Sequence, residues 1–446
     1  MKFSYEEKLE TIVRYIRQGE KEPANFKLGL ELEHFLLEEE SFKAVPYSGE
    51  KGVEGFLKAL MVEGNWEGIY EDENLLGLKN KDINITLEPG GQLEISLAPT
   101  KDIREIERIY NTFLKEINTL LKDRKQVLLN LGYQPVSRIA EIELLPRERY
   151  RYMYEYFKAK GKYAHNMMKG TSSTQVSLDY SSEEDLRKKI RVVYFLGPLV
   201  YYFFDNSPFF EGKINERNSL RSIIWDNCDD DRSGYVTNVF NDDFSYSDYA
   251  SYILNMPPIV IMKEGKLHYT GTKTNREIEE IDYKNRAEFE HLMTMAFPDA
   301  RVKKFLEIRM GDSIPYPYNL AYVLFWQGLL YNEKNLDYLY EKALKYSQAD
   351  LDSIKKDVYF KGSNSKSYGI KLKKFYLELL GLAADGLVYK HEKEYLELLR
   401  ELLLAHGTPR EKCYTDIKDN KGMKKALEWC LRSEERRVGK ECRSRW

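Results

Sequence analysis

The chain has 446 residues, 42% hydrophobic and 13% aromatic, and a formal net charge of −3. Such a composition supports a sizeable core and excludes a disordered chain, and the near-neutral charge gives no general pull toward nucleic acid or an anionic membrane. No apolar run of roughly 18 residues is present, so no membrane-spanning helix is expected, and Cys228, Cys413, Cys430 and Cys442 lack Cys-x-x-Cys or zinc-ligand spacing. The expectation is a reduced, cytoplasmic protein.

In chain order, "MKFSYEEKLETIVRYIRQ" predicts an amphipathic charged helix over residues 5–18 rather than a signal peptide. The strand pattern "KLGLELEHFLL" follows, with Leu30, Leu32, His34 and Leu36 on one face and Glu31 and Glu33 on the other. That places His34 in the core. Residues 52–62 read as a short helix, and 66–97 as strands and turns punctuated by Gly and Asn. "LEPGGQLEISLAP" closes that region: Glu88 precedes a Pro-Gly-Gly turn, and Leu93, Ile95 and Leu97 oppose Glu94 and Ser96. From Thr100, read as an N-cap, Ile103, Ile106, Ile109, Phe113, Ile117, Leu120 and Leu121 keep helical spacing, with Gly132 as the expected stop. "STQVSLDYS" sets Thr174, Val176 and Leu178 against Gln175, Ser177 and Asp179. Ser182 then caps a largely apolar helix, and after Pro315 the chain reads as mostly helical to about residue 431. With no βαβ rhythm, these elements predict an α+β fold on an antiparallel sheet.

Phosphate loops, dinucleotide fingerprints and the Gly-x-Ser-x-Gly elbow are all missing from the sequence. "DDDRSG" begins like a calcium loop, but Phe240 stands where the bidentate Glu belongs, which rejects an EF-hand. The carboxylates are the stronger lead. Two residues apart on a strand, Glu31 and Glu33 point the same way at about 6.5–7 Å, where like charges repel unless cations or water relieve them. Hard cations such as Mg²⁺ suit such oxygens and leave positions for phosphate; an exposed strand face is the readier account of a lone Glu-x-Glu, but less so of a set of such strands. "FLEIRM" repeats the spacing with Glu307 and Arg309, placing a guanidinium beside a carboxylate. Arg221 and Arg232 bracket "SIIWDNCDDD", where ordinary ion pairs also account for them. The Tyr/Arg segment "RERYRYMYEYFKAKGKY" has two readings, a base-stacking surface or a Tyr-rich helix, and Cys228 has no placed base to activate it.

Taken together, "GLELEHFLL", "LEPGGQLEISLAPT", "MMKGTSSTQVSLDY", "RNSLRSIIWDNCDDDRSGY", "YILNMPP" and "FPDARVKKFLEIRMGDS" resemble glutamate–cysteine ligases of the plant-like and proteobacterial type, from about residue 25 to 400. The resemblance implies an antiparallel sheet curved into a funnel with helices outside, similar to the catalytic domain of glutamine synthetase. It implies ATP- and Mg²⁺-dependent joining of the glutamate γ-carboxyl to the cysteine amine through γ-glutamyl phosphate. Within it, Glu31, Glu33, Glu88, Glu94 and Glu307 match metal-binding carboxylates, and Arg232 and Arg309 match arginines on the phosphate side. Arg221 and Trp225 match a pair that contacts glutamate, with Thr171, Ser173 and Gln175 lining the substrate site. Ser177 and the run "NCDDDRSG" depart from the family pattern, which leaves open another amine acceptor; a binding protein that has lost catalysis is a further alternative. The implied partners are glutamate, cysteine and ATP, with no nucleic acid and no membrane, in a monomer or homodimer.

The last stretch, "RSEERRVGKECRSRW", has no apolar period and resembles the in-frame translation of a sequencing adapter. The expected organisation is therefore one catalytic domain over residues 1–431 and a non-native tail over 432–446, leaving 63 basic against 69 acidic residues in the domain.

Overall fold

A computed structural model describes residues 3–418 and 422–431, so the 432–446 segment lies outside the described residues. Its centre is a nine-stranded antiparallel sheet. The strands are β1 (Leu28–Glu38), β2 (Glu67–Glu71), β3 (Asn74–Lys79), β4 (Ile83–Leu87), β5 (Leu93–Thr100), β6 (Gln126–Leu129), β7 (Thr174–Leu178), β8 (Ala300–Val302) and β9 (Leu306–Ile308). They lie in the order β8-β9-β7-β1-β5-β4-β3-β2, an open path, with β6 paired to the far half of β1.

Register converts the sequence alternation into two chemically distinct faces. Glu33 opposes Glu94, Glu94 opposes Thr86, Glu31 opposes Gln175, and Glu307 lies between Ser177 and Arg301. Paired residues share a face, so all of these side chains stand on one side of the sheet. The alternate set, including Leu30, Leu32, Ile85, Ile95, Val176 and Ile308, is buried on the other. There, α3 (Ile103–Arg124) packs on β5 and β6, while α10 (Tyr318–Leu330) packs on β1 and β7. α3 buries eight residues at 3.6-residue spacing, each fully buried aliphatic contributing about 1.5–3 kcal/mol of transfer free energy. His34 belongs to this apolar side, fully buried with Nε2 2.7 Å from the Tyr110 hydroxyl.

Elsewhere the predicted elements form largely where patterning places them. α1 runs Tyr5–Arg17, α2 Val53–Glu63 and α6 Glu183–Phe203, the last capped by the Ser182 hydroxyl, which accepts from the Asp185 amide. Helices also fill most of residues 318–427. Two boundaries differ from expectation. Thr100 ends β5, and Asp102 is the N-cap of α3, its carboxylate accepting from the Arg104 amide. α3 stops at Arg124 because Lys125 turns left-handed at φ 54° and the chain enters β6; Gly132 lies beyond that strand. Gly132 answers to packing, since a Cβ there would collide with the Asp312 carboxylate. A second apolar cluster, including Phe35, Leu37, Leu129, Leu427 and Trp429, fastens the C-terminal helices to the far end of β1. No helix among the described residues is long and apolar enough to cross a membrane.

Candidate active site

The polar sheet face is one wall of a cavity of about 250 Å³. Glu31, Glu33, Thr86, Glu94 and Gln175 rise from the strands, and Glu88 enters from the turn that joins β4 to β5. That turn closes by a 2.8 Å bond from the Gly91 amide to the Glu88 carbonyl, with Gly91 at φ +79°, a conformation glycine adopts without Cβ strain. Opposite stand Arg147 and Arg149, flanking the start of α4 (Glu148–Phe157), and Arg221 and Trp225 from α7 (Leu220–Trp225). Met153, Met167, Met168 and Phe297 add apolar lining, and Arg301, Lys303 and Arg309 add cationic lining from β8 and the segment around β9.

The carboxylates are in two electrostatic states. Burial comes first in raising Glu31 to about 8, with Glu94 and Glu307 adding like-charge repulsion. Glu94 is likewise raised to about 8 by burial, then by Glu88 and Glu33; Glu88 is raised to about 7 by burial and Glu33, against the pull of Arg309. Glu307 is the opposite case. Although fully buried, it receives Arg301 at 2.6 Å, Lys303 at 3.0 Å and Arg309 at 3.1 Å. Those cations outweigh its desolvation and hold its carboxyl well below the ordinary range.

Hydrogen bonds then fix the floor. Glu33 accepts from the Ser173 amide at 2.7 Å, the Ser173 hydroxyl at 2.9 Å and Gln175 Nε2 at 2.7 Å. Gln175 Oε1 in turn accepts from Arg309 Nη1 at 2.5 Å, so Glu33, Gln175, Arg309 and Glu307 form one chain of contacts. Across the cavity, Arg221 Nη1 donates to the Arg309 and Met310 carbonyls, while its guanidinium lies 5.6 Å from the Trp225 ring centroid. Arg149 Nε, Arg221 Nε and Trp225 Nε1 are buried with no hydrogen-bond partner among the described residues. Arg149 is also lowered to about 10, first by burial and then by Arg147 and Arg301. Unpartnered donors and mutually repelling carboxylates thus line the same cavity.

Most of the residues singled out in the sequence converge here: Glu31, Glu33, Glu88, Glu94, Thr171, Gln175, Arg221, Trp225 and Arg309 line the cavity. Three do not. Ser173 lies behind the wall and holds Glu33. Glu307 sits beneath the surface, taken up by its three cations. Arg232 lies outside the cavity lining: it is fully buried, bonded to Asp229 at 2.6 Å, the Met295 carbonyl at 3.1 Å and the Tyr156 hydroxyl at 3.3 Å. With Asp229 so engaged, "DDDRSG" is an internal ion-pair turn. Cys228 is buried and its thiol pushed up to about 12, chiefly by desolvation, which keeps it protonated and inert.

Arg147, Arg149, Arg301 and Lys303 were missed. The first two sit in the Tyr/Arg segment, whose spacing in one element carries no hint of a wall facing a distant sheet. The other two lie in "FPDARVKKFLEIRM", where the Arg301–Glu307 pairing comes from the β8–β9 register.

As to a metal, among the described residues no three His, Cys, Asp or Glu side chains converge to hold an ion. The carboxylates are spread along the sheet, with Glu33 already accepting three hydrogen bonds and Glu94 one. That donor set fits Mg²⁺, which keeps several waters and takes its remaining ligands from substrate phosphates.

Carboxylates and arginines lining one cavity on an antiparallel sheet have the make-up of an enzyme site. A model of the glutamate–cysteine ligase family 2 matches residues 27–358. Glutamate–cysteine ligase A, chloroplastic, from Oryza sativa subsp. japonica is 31% identical over 415 residues, covering 90% of this chain and 83% of the relative. The chloroplastic enzyme of Arabidopsis thaliana is 30% identical over 414 residues, covering 90% and 78%. A crystal structure of a glutamate–cysteine ligase from Francisella tularensis in complex with AMP shares the fold, with a TM-score of 0.56 over 91% of this chain and 87% of that one, at 14% identity. This chain belongs to glutamate–cysteine ligase family 2.

Proposed function

We propose that the protein joins the γ-carboxyl of L-glutamate to the amine of L-cysteine at the expense of ATP, the first step toward a glutathione-type thiol. The observation that carries this reading is the pairing of under-compensated carboxylates on the sheet with unpartnered arginine and tryptophan donors across one cavity. In the proposed sequence a γ-carboxylate oxygen of glutamate attacks the γ-phosphorus of ATP and ADP departs. The cysteine amine then attacks the acyl carbon, losing a proton, and phosphate leaves. Such transfer requires in-line positioning and charge neutralisation more than a protein nucleophile.

Each wall has a role in this reading. Arg221 and Trp225 orient glutamate through their free donors. Arg309, held by Gln175 and Glu307, faces the transferring phosphoryl group, and the newly recognised Arg147, Arg149 and Arg301 add positive charge on that side. Glu31, Glu33, Glu88 and Glu94 would hold Mg²⁺ together with the nucleotide phosphates, where the ion supplies Lewis-acid neutralisation. The methionine and phenylalanine side chains of the lining suit a thiol-bearing acceptor.

The same reading covers a single catalytic domain over residues 1–431, shaped as a glutamine synthetase-like funnel, in a cytoplasmic monomer or homodimer. The test follows ADP release with Mg-ATP and glutamate, with and without cysteine and with a panel of other amines. Cysteine-dependent ADP release with γ-glutamylcysteine as product supports the assignment. Preference for another amine keeps the mechanism and changes the acceptor, and no turnover with any amine overturns the enzyme reading.

A further inference from the structure

The helix that carries Arg221 and Trp225 is only six residues long and receives no side-chain cap from Ser219, its N-cap residue. Its placement comes from outside. The Ser219 amide donates 2.8 Å to Asp205 Oδ2, and the same turn, residues 205–207, holds Asp312: the Asn206 amide and Ser207 hydroxyl donate to its carboxylate at 2.8 and 2.7 Å. Asp312 follows the Arg309 and Met310 carbonyls to which Arg221 Nη1 is bonded. Both supports of Arg221, the start of its helix and the carbonyls it grips, therefore meet at one three-residue turn.

That turn is anchored by Arg410, from the helix Pro409–Lys418 near the C-terminal end of the described residues. Its guanidinium pairs with Asp205 at 3.0 Å, both side chains nearly excluded from solvent at 4% and 0% exposure. The Arg410 amide donates to the Asp205 carbonyl at 2.9 Å. Its two Nη atoms donate to the Asn215 carbonyl at 3.3 Å, the Arg217 carbonyl at 2.7 Å and the Asn218 side chain, all in the lead-in to α7. Arg410 lies beyond residue 358, where the family match ends.

We propose that Arg410 is a positioning residue that, through Asp205 and residues 215–218, sets the orientation of Arg221 and Trp225 and thereby the affinity of the site for its amino-acid substrate. This inference rests on the glutamate role proposed for that pair. A planar fork that faces a carboxylate with its charge while its Nη atoms serve two carbonyls and a side-chain amide is a task for which lysine is a poor replacement.

The test compares the wild-type full chain with Arg410→Lys and Asn218→Ala, the latter removing one acceptor of the clamp without burying a charge. Two readouts are taken: KM for glutamate and for ATP, and amide hydrogen exchange over residues 215–226. Loss of a charge-assisted bond at the clamp is expected to raise the glutamate KM about tenfold while the ATP KM stays within about twofold. Exchange should quicken at residues 215–226 and leave the central strands unchanged. Equal rises in both KM values, unchanged exchange in that segment, or uniformly faster exchange would each overturn the proposal. Absence of turnover in the wild type would sink the ligase reading alone, because exchange in 215–226 still decides whether Arg410 holds the helix.

Discussion

Replacing Glu307 by Gln removes one negative charge from beneath three positive ones with almost no change in volume. Glu307 Oε2 accepts from Arg301 Nε at 2.6 Å and from Arg309 Nη1 at 3.1 Å, and Oε1 accepts from Lys303 at 3.0 Å. The side chains of Arg301, Lys303 and Arg309 are 9%, 19% and 14% exposed, so none is released fully to water when the carboxylate goes. Breaking one partner out of a buried pair costs about 3–5 kcal/mol. Here Lys303 and Arg309 can turn toward Glu31 and the cavity, which puts the expectation at the lower end, about 3 kcal/mol. The pH dependence has a definite sign. Because the folded carboxyl lies well below its unfolded value, its contribution is present above the unfolded pKa and disappears as pH falls through the folded one. Urea unfolding of wild type and Glu307→Gln should therefore differ by about 3 kcal/mol at neutral pH and converge in acid. The loosened Arg309 should also lower ADP release strongly. A loss below about 1 kcal/mol, or a gap that does not close in acid, would refute the assignment of Glu307 as the counter-charge of this basic cluster.

Glu31→Gln should do the reverse to stability. Burial and its neighbours hold this carboxyl at about 8, so the neutral amide mimics its protonated form: the thermal midpoint matches wild type's in acid, rises above it as pH climbs from the unfolded value to about 8 and stays higher beyond, while Mg-ATP-dependent ADP release collapses. Arg232→Met should behave as a fold variant: it leaves buried Asp229 to Lys160 alone and lowers stability by about 3 kcal/mol in denaturant titration, with kcat of the folded fraction near wild type. Asp312 is raised to about 7 by burial and then by Asp205, so it contributes stability below its unfolded value that is lost as pH rises through about 7. Asp312→Asn retains an oxygen for the Asn206 and Ser207 donors, and its thermal midpoint should fall less than wild type's between pH 5 and pH 8.

Local patterning was enough for much of this protein. Period-two alternation in β1, β5 and β7 placed carboxylates and Gln175 opposite an apolar face, because strand geometry makes that separation whatever the partner strand. Helical spacing identified α1, α3 and α6, and the apolar register of His34 marked it as a core residue. Boundaries that depend on one backbone conformation were not legible: the left-handed Lys125 ended α3 where no glycine signals it. Charge partners were decided only by the tertiary structure. Glu31 and Glu307 look alike on their strands, yet strand order leaves Glu31 among carboxylates and sets Glu307 against Arg301, so the same side chain is driven in opposite directions. Arg232 and Arg309 likewise differ only in what surrounds them, Asp229 and carbonyls for one, the cavity for the other. Coulomb interaction and desolvation depend on distances across the fold, and those distances are set by which segments pack together, not by spacing along the chain.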